Sequence, residues 1–471
     1  MAKANEKFIY FIGMGGCGMS GIARIAADQG NLVAGSDMRD SKYLEHLRDK
    51  GIKVFIGHDA KNLHSVDKGK IPDIVVVSTA IMDFNVEYVE AKKLGIPICH
   101  RADMLAYLGK GLKTLAVTGT HGKTTVSSML SHTLSKMGED PTFLVGGNIA
   151  GFDTNAASGK GEYYVVEADE SDKSFNKLDP YSAIITNIEV DHLDHYENLD
   201  DIYSEFDKFI KLVHKDGVLM CCAEDEKLME LARKNRSDVL SYGFGKDADY
   251  QVLDYSFKRF SCKIKLRLKD GKEVEFGLDH GMGKHNVLNA SSVIGLIHAL
   301  GLDVDKACKA IADFAGAERR FDYVGDVNGI TVVDDYAHHP TEIAATIAAA
   351  KEMGFKRVHV CFQPHRYSRA PLFTEVLHDE FGDAFKDADI VTFMNIYSAG
   401  EMPLPGVTGQ MFLDVVKKRG HKDTSYVPRR YYVPYHLAEI SKPGDLVITM
   451  GAGDVTVIGS LLIEELNRKY G

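Results

Sequence analysis

The chain has 471 residues, 45% of them hydrophobic and 26% charged, with a net charge of −11. At about 150 residues per domain, this length allows roughly three soluble domains with sizeable cores. The acidic balance excludes nonspecific nucleic-acid binding, which needs clustered Lys and Arg, and no apolar run approaches the ~20 residues that span a bilayer, so neither nucleic acid nor membrane is an expected partner.

The N-terminal stretch runs straight into a glycine loop and carries no small-residue cleavage site. No secretory signal is therefore expected, and the cytoplasm is the expected compartment. Residues 8–12 read as a strand, 13–20 as a loop and 21–29 as a helix. The loop Gly13-Met14-Gly15-Gly16-Cys17-Gly18 satisfies GxGxxG, and Asp37 follows after a strand-like run at 32–34. Three readings stand side by side: a dinucleotide fingerprint with an acidic ribose ligand, a cradle for another diphosphate such as that of a UDP-sugar, or a structural glycine turn. A further strand is expected at 74–77, and Gly109-Lys110-Gly111 marks a first domain boundary.

A fresh strand at 114–117 enters a second glycine loop, and a helix is expected over 126–136. The loop residues Gly119, Thr120, His121, Gly122, Lys123, Thr124 and Thr125 are expected to line an ATP phosphate site. Their backbone N–H groups and the helix N-terminus favour anions, Lys123 reaches the β- and γ-phosphates, and Thr124 offers a hydroxyl to Mg²⁺. Val117 stands where the strict long pattern has glycine, which makes the loop a variant.

Strand-like runs at 163–166 and 183–188 end in acidic clusters, EADESD and EVDHLDH. Ligands gather beyond the carboxyl ends of parallel strands, so both clusters are expected to flank the Lys123 loop. Glu167 suits Mg²⁺, which prefers oxygen. His192 is either a less usual metal ligand or an ordinary surface histidine. The alternating stretch 250–278 reads as a hairpin or mixed-sheet insertion, and Lys284-His285-Asn286-Val287-Leu288-Asn289 begins a helix. Either His285, Asn286 and Asn289 read a purine edge, or they form a simple cap.

A second boundary is expected near Ala315, with a third restart at 329–334. There Asp335 and Tyr336 follow a strand, and His365, Arg366 and Arg369 follow another at 358–362. The histidine and two arginines form a positive cluster suited to carboxylate recognition, or a surface salt-bridge network. The seven cysteines (Cys17, Cys99, Cys221, Cys222, Cys262, Cys308 and Cys361) include no CxxC pair. Neither a disulfide framework nor a zinc site is expected.

Taken together, GMGGCGMSG at 13–21, GTHGKTT at 119–125, EADESD at 167–172, TNIEVDHLDHY at 186–196, HNVLNA at 285–290, ERRFD at 318–322, DDYAHHPTE at 334–342, FQPHRYSR at 362–369 and GAGD at 451–454 make a recognisable set. In this order and over nearly the whole chain, they resemble the Mur ligases, the ATP-dependent amide ligases of peptidoglycan assembly, and most of all their alanine-adding branch. The resemblance implies an α/β chain of three domains. A Rossmann-like UDP-sugar domain would occupy residues 1–111, a central P-loop ATPase domain with a mainly parallel sheet 112–315, and a Rossmann-like C-terminal domain 316–471.

It also implies an ADP-forming ligase that takes UDP-N-acetylmuramate and L-alanine through an acyl phosphate, as a monomer or weak homodimer. Gly15, Gly16, Cys17 and Gly18 would lie at the uridine diphosphate, with Asp37, Ser78 and Thr79 near the uridine. Lys123 and Thr124 match ATP phosphate and Mg²⁺ positions, Glu167 and His192 match metal positions, and Asn286 and Asn289 match the adenine site. Arg320 and Asp335 would close over ATP, and Tyr336, His365, Arg366 and Arg369 match the alanine end. Ala337 stands where this branch often has glycine; several relatives carry a carbamylated lysine that supports a second Mg²⁺, which maps to no residue here, Lys208 and Lys211 being only nearby lysines. His192 or a neighbouring carboxylate would accept the amine proton. The rival readings are the family's murein tripeptide-recycling ligase, a noncatalytic nucleotide-sensing module, and a NAD-linked oxidoreductase.

Overall fold

The five residues Phe8–Ile12 are apolar and wholly buried, the pattern of a central parallel strand covered on both faces. The structure is a computed structural model that describes residues 6–66, 69–191, 196, 198–258 and 260–471. Backbone contacts divide it into two units. One comprises residues 1–251, 268–272 and 291–311, the other 252–267, 273–290 and 312–471.

The first unit holds two sheets. Strands β1 (Phe8–Ile12), β2 (Leu32–Asp37), β3 (Lys53–Ile56), β4 (Ile74–Val77) and β5 (Ile98–His100) form a parallel sheet in the order β3-β2-β1-β4-β5. Helices α1 (Cys17–Asp28), α2 (Lys42–Asp49), α3 (Val86–Lys93) and α4 (Arg101–Leu108) accompany it. The order reverses between β1 and β4, so the first glycine loop sits at the switch point where such sheets bind ligands. The helix expected from residue 21 begins at Cys17 instead. Extended Gly16 caps it, and Ser20 N–H already donates to Gly16 O at 2.9 Å, so the loop is four residues shorter than its composition suggested. A Cβ at Gly21 would lie 2.2 Å from Leu144 Cδ1; only glycine lets α1 pass this close.

The second sheet of this unit contains β6 (Lys113–Thr118), β7 (Thr142–Ile149), β8 (Thr154–Ala157), β9 (Tyr163–Glu167), β10 (Ser182–Ile185), β11 (Leu219–Cys222), β12 (Leu240–Gly243) and the start of β13 (Tyr250–Lys258). Its order is β13-β12-β11-β10-β6-β9-β7-β8. Strands β10, β6 and β9 are parallel neighbours, so the loops after them, which carry the three central motifs, leave side by side. Helix α5 (Lys123–Met137) is buried on every side from Val126 to Leu134. Four of its hydroxyl side chains, those of Ser127, Ser131, Thr133 and Ser135, are tolerated because they donate to the carbonyl one turn back at 2.7–2.8 Å. Gly138, at φ 91°, ends it. Helices α6 (Leu199–Leu212) and α7 (Glu226–Asn235) begin at Asn198 and Asp225, whose side chains accept from Asp201 N–H and Leu228 N–H.

In the second unit, β14 (Ser261–Arg267) and β15 (Glu273–Leu278) pair antiparallel, the hairpin that the alternating stretch predicts. Helix α8 (Lys284–Ala299) opens in this unit at the expected HNVLNA motif, while its residues from 291 on and α9 (Val304–Ala312) up to residue 311 belong to the first unit. The last sheet, with β16 (Asp322–Val327), β17 (Ile330–Asp335), β18 (Arg357–Phe362), β19 (Ile390–Phe393), β20 (Thr424–Tyr426) and β21 (Asp445–Met450), has the order β16-β17-β21-β18-β19-β20. Only the edge strand β16 is antiparallel to its neighbour. The motif loops after β17, β21 and β18 therefore leave three adjacent strand ends. Pro340 opens helix α10 (Pro340–Glu352), where a missing N–H costs nothing. Among the described residues, no helix is long and apolar enough to cross a membrane.

Candidate active site

In the first unit, the second glycine loop bends through Gly119 at φ 129° and Gly122 at φ 85°. A Cβ on Gly119 would lie 2.1 Å from Thr186 Oγ1, so both the backbone angle and the space require glycine. Residues 186–187, expected within a strand, have left it to hold this loop. Asn187 Oδ1 accepts from His121 N–H at 2.9 Å, and the Thr186 hydroxyl donates to His121 O at 2.5 Å. Thr120 Oγ1 accepts from Glu189 N–H at 2.8 Å, and His121 Nε2 lies 3.5 Å from the Glu189 carboxylate.

Lys123 and Glu167 organise the floor. The Lys123 ammonium reaches Gly119 O at 2.7 Å, Thr120 O at 3.0 Å and both Glu170 oxygens at 2.8 Å. Burial opposes its charge, but Glu170, Asp169 and Glu167 outweigh burial and hold it protonated above the usual lysine range. Glu167 accepts from Gly146 N–H at 2.6 Å, the Thr124 hydroxyl at 3.0 Å and the Ser127 hydroxyl at 3.4 Å. Burial raises Glu167 above the ordinary carboxylate range, against the pull of Lys123, and pushes Glu170 up to about 7. Asp169 goes the other way, because Lys123, Ser171 and Arg101 outweigh its burial. The Thr124 hydroxyl beside the Glu167 carboxylate is a hard-oxygen donor set that fits Mg²⁺. His192 lies outside the described residues. Lys208 and Lys211 sit on the exposed side of α6, in ion pairs with Glu205 and Asp207.

The first loop is organised by backbone. Gly13 and Met14 N–H both donate to Ser36 O at 2.9 Å, and Gly15 N–H donates to Asp37 Oδ2 at 2.8 Å. A side chain at Gly15 would meet that carboxylate. Asp37 thus holds the loop itself here, a role its reading as a ribose or uridine ligand did not include. Gly16, Cys17 and Gly18 lie at the N-terminus of α1, while Ser78 is half-buried and Thr79 exposed just after β4. Arg101 reaches across from α4 to Asp172 at 3.1 Å and Asp169 at 3.6 Å. Arg101, Glu170, Asn187 and Ser127 were not singled out from the sequence. Glu170 and Asn187 had a visible signal, their places within EADESD and TNIEVDHLDHY.

In the second unit, Asp335 is buried at the end of β17 and accepts from Phe321 N–H and Ala337 N–H, each at 2.8 Å. Burial pushes it up to about 6, against the pull of Arg320. Arg320 pairs with Glu342 at 3.5 Å, and both Arg319 and Arg320 lie over the Tyr336 ring, at 5.0 and 5.3 Å. His285 is driven down to about 4 by burial and by Arg320, so it is neutral. Asn286 donates to Met282 O at 2.8 Å and Asn289 donates to Asn286 Oδ1 at 3.1 Å. Both bonds are donated by side-chain amides, so neither is a helix N-cap, which accepts from a backbone N–H.

The His365 ring stacks on Tyr397 at 5.7 Å and 14°, and Arg366 N–H donates to Tyr397 O at 2.8 Å. Burial, then Arg366 and Arg369, bring His365 down to about 4. Arg366 has φ 67°, a left-handed backbone unusual outside glycine, and Arg369 lies 5.6 Å over the Phe373 ring. These residues are brought together as expected; Tyr397, which anchors them, carried no sequence signal.

Known proteins match this arrangement along the whole chain. Family models described as Mur ligase family, catalytic domain; Mur ligase middle domain; and Mur ligase, glutamate ligase domain match residues 8–112, 117–297 and 319–453. A UDP-N-acetylmuramate–L-alanine ligase of Carboxydothermus hydrogenoformans is 42% identical, over 97% of this chain and 96% of its own. One of Pelotomaculum thermopropionicum is 41% identical over 99% of both. The crystal structure of UDP-N-acetylmuramate-alanine ligase from Thermotoga maritima superposes with a TM-score of 0.79 at 32% identity, covering 98% of this chain and all of that one. A murein peptide ligase from Psychrobacter arcticus gives 0.69 at 25% identity, with 98% of each chain covered. With three α/β sheets, the glycine loop bearing Lys123 and near-complete coverage by such relatives, the chain belongs to the Mur ligase family.

Proposed function

We propose that this chain joins L-alanine to the lactyl carboxylate of UDP-N-acetylmuramate, with cleavage of ATP to ADP, in peptidoglycan precursor synthesis. The observation that carries this is the likeness to ligases named for that reaction, which runs over 97% of the chain. The Lys123 loop, with Glu167 beside Thr124, supports phosphoryl transfer as the first step.

A lactyl carboxylate oxygen attacks the γ-phosphorus of ATP; ADP leaves and an acyl phosphate forms. The alanine amine then attacks the acyl carbon, loses a proton and expels inorganic phosphate. Lys123 offsets charge on the transferring phosphoryl group, so the loop acts mainly by positioning and electrostatics. Thr124 and Glu167, with His192, would hold Mg²⁺, which supplies further charge compensation at the phosphates. Asn286 and Asn289, with His285, would read the adenine. Arg320 and Asp335 would cover the nucleotide. Gly15 to Gly18 would take the diphosphate, with Asp37, Ser78 and Thr79 near the uridine. Tyr336, His365, Arg366 and Arg369 would receive alanine, the arginines meeting its carboxylate while the amine stays free. His192 or a strand-end carboxylate would accept the amine proton.

A boundary after residue 315 falls in the gap between family matches that end at 297 and resume at 319, and one after residue 111 lies one residue before the end of the match over 8–112. The substrates, ATP and a UDP-sugar, assign the reaction to the cytoplasm, with the chain acting as a monomer or weak homodimer. Phosphate release from ATP with UDP-N-acetylmuramate, measured for each amino acid in turn, tests the proposal. L-Alanine should support the fastest release. Preference for L-alanyl-γ-D-glutamyl-meso-diaminopimelate would instead favour the murein peptide ligase reading.

A further inference from the structure

An ammonium group has three N–H donors, and those of Lys123 are all engaged within the protein. Gly119 O lies at 2.7 Å, Thr120 O at 3.0 Å and the Glu170 carboxylate at 2.8 Å. Two of these partners are neutral carbonyls of the loop itself; the third is an anion. Glu170 is 2% exposed and its two oxygens are equidistant from Nζ. Its backbone is fixed as well, since the Tyr196 hydroxyl donates to Glu170 O. Asp169 and Glu167 add to the negative field at the ammonium without contacting it as Glu170 does.

A phosphate oxygen can bond this ammonium only by displacing one of its three partners, and Glu170 is the acidic one among them. We infer that Glu170 is the counter-anion of Lys123, and that it is the partner Lys123 gives up when the β- and γ-phosphates bind. The two carbonyl contacts keep the ammonium aimed into the loop during the exchange. Glu170 is thus a positioning residue that acts through Lys123. It restrains nucleotide affinity by competing for the ammonium, and it keeps the lysine charged and oriented between turnovers.

This inference rests on the reading of the Lys123 loop as the ATP site, and its test separates the two. ADP affinity is measured by calorimetry in the presence of Mg²⁺, on the full chain, for the parent, Glu170→Gln, Glu170→Asp, Lys123→Ala and Lys123→Ala with Glu170→Gln. Thermal melting reports folding for each. Removing the competing anion should tighten ADP binding by roughly tenfold in Glu170→Gln. The shorter arm of Glu170→Asp should tighten it to a lesser extent, and the gain should vanish in the Lys123→Ala background. A merely structural role predicts weaker binding in every Glu170 variant. Unchanged or weaker ADP binding in folded Glu170→Gln overturns the inference, as does tightening that survives without Lys123. If Glu170→Gln does not fold, the sign of the change in Glu170→Asp decides in the same way. Should Lys123→Ala bind ADP as the parent does, the ATP assignment of the loop fails, and this inference fails with it.

Discussion

Replacing Arg366 or Arg369 with alanine isolates the amino-acid end of the reaction. Arg366 and Arg369 follow β18, and after burial both lower the basicity of His365 while Glu401 opposes them, so two cations share that strand end. The incoming alanine brings one carboxylate to it. A hydrogen bond to a charged group contributes about 1.5–3 kcal/mol, which is roughly ten- to a hundredfold in an equilibrium constant. At least one of the two variants should therefore raise the Michaelis constant for L-alanine by about that factor. The constants for ATP and the UDP-sugar should stay within a fewfold.

The backbone supplies a control. Arg366 has φ 67°, a conformation that costs a non-glycine residue about 1–2 kcal/mol. Arg366→Gly removes the guanidinium while relieving that strain, so it should lose alanine recognition without lowering the melting temperature appreciably. Glycine and serine should be poor but detectable substrates of the parent, because a pocket separates a single methyl by only ~1–3 kcal/mol. Steady-state kinetics with each substrate varied in turn decides the matter. If both alanine variants keep the parent's constant for L-alanine, or lose ATP affinity instead, the cluster is not the carboxylate site.

Other consequences are checked more simply. Lys123→Ala should abolish turnover while leaving UDP-N-acetylmuramate affinity, read by calorimetry, nearly intact; lost sugar binding in a folded variant would contradict the placement of the two glycine loops. Glu167→Gln keeps the shape that receives Gly146 N–H and the Thr124 hydroxyl but removes a charge, so activity titrated against Mg²⁺ should need more metal and reach a lower rate. NADH fluorescence should reveal no saturable binding to the first sheet's loop, since the proposed occupant of that loop is a UDP-sugar. His365 is held near 4 in the fold, against 6.5 for a free histidine. Its contribution to stability is therefore complete above about pH 6.5 and is lost as pH falls toward 4. His365→Gln should reduce the acid-side slope of stability, measured by denaturant unfolding at each pH, by up to one proton.

Much of the architecture was legible because apolar runs and glycine loops are local signals. The strands at 8–12 and 74–77, the hairpin within 250–278 and the helix opening at Lys284 all fall where the pattern places them. The strand expected over 183–188 stops at Ile185, because Thr186 and Asn187 face the Lys123 loop, a contact with a segment some 65 residues away. The start of α1 was misread because Cys17, Gly18, Met19 and Ser20 look like loop continuation, yet small side chains also suit the first turn of a helix under a switch point. Glu170 was hidden by its neighbours: within EADESD any of four carboxylates fits a generic acidic strand end, and only the fold selects the one that meets Lys123. Tyr397 and Arg101 act from other strands and helices altogether, and no spacing rule reaches them.

The central claim is that the lactyl carboxylate is activated as an acyl phosphate before alanine attacks it. UDP-N-acetylmuramate labelled with ¹⁸O in that carboxylate, turned over with ATP and L-alanine and analysed by mass spectrometry, tests it directly. The account predicts one ¹⁸O in each inorganic phosphate released, with the other retained in the new amide. Phosphate free of label, with amide formed, would contradict it.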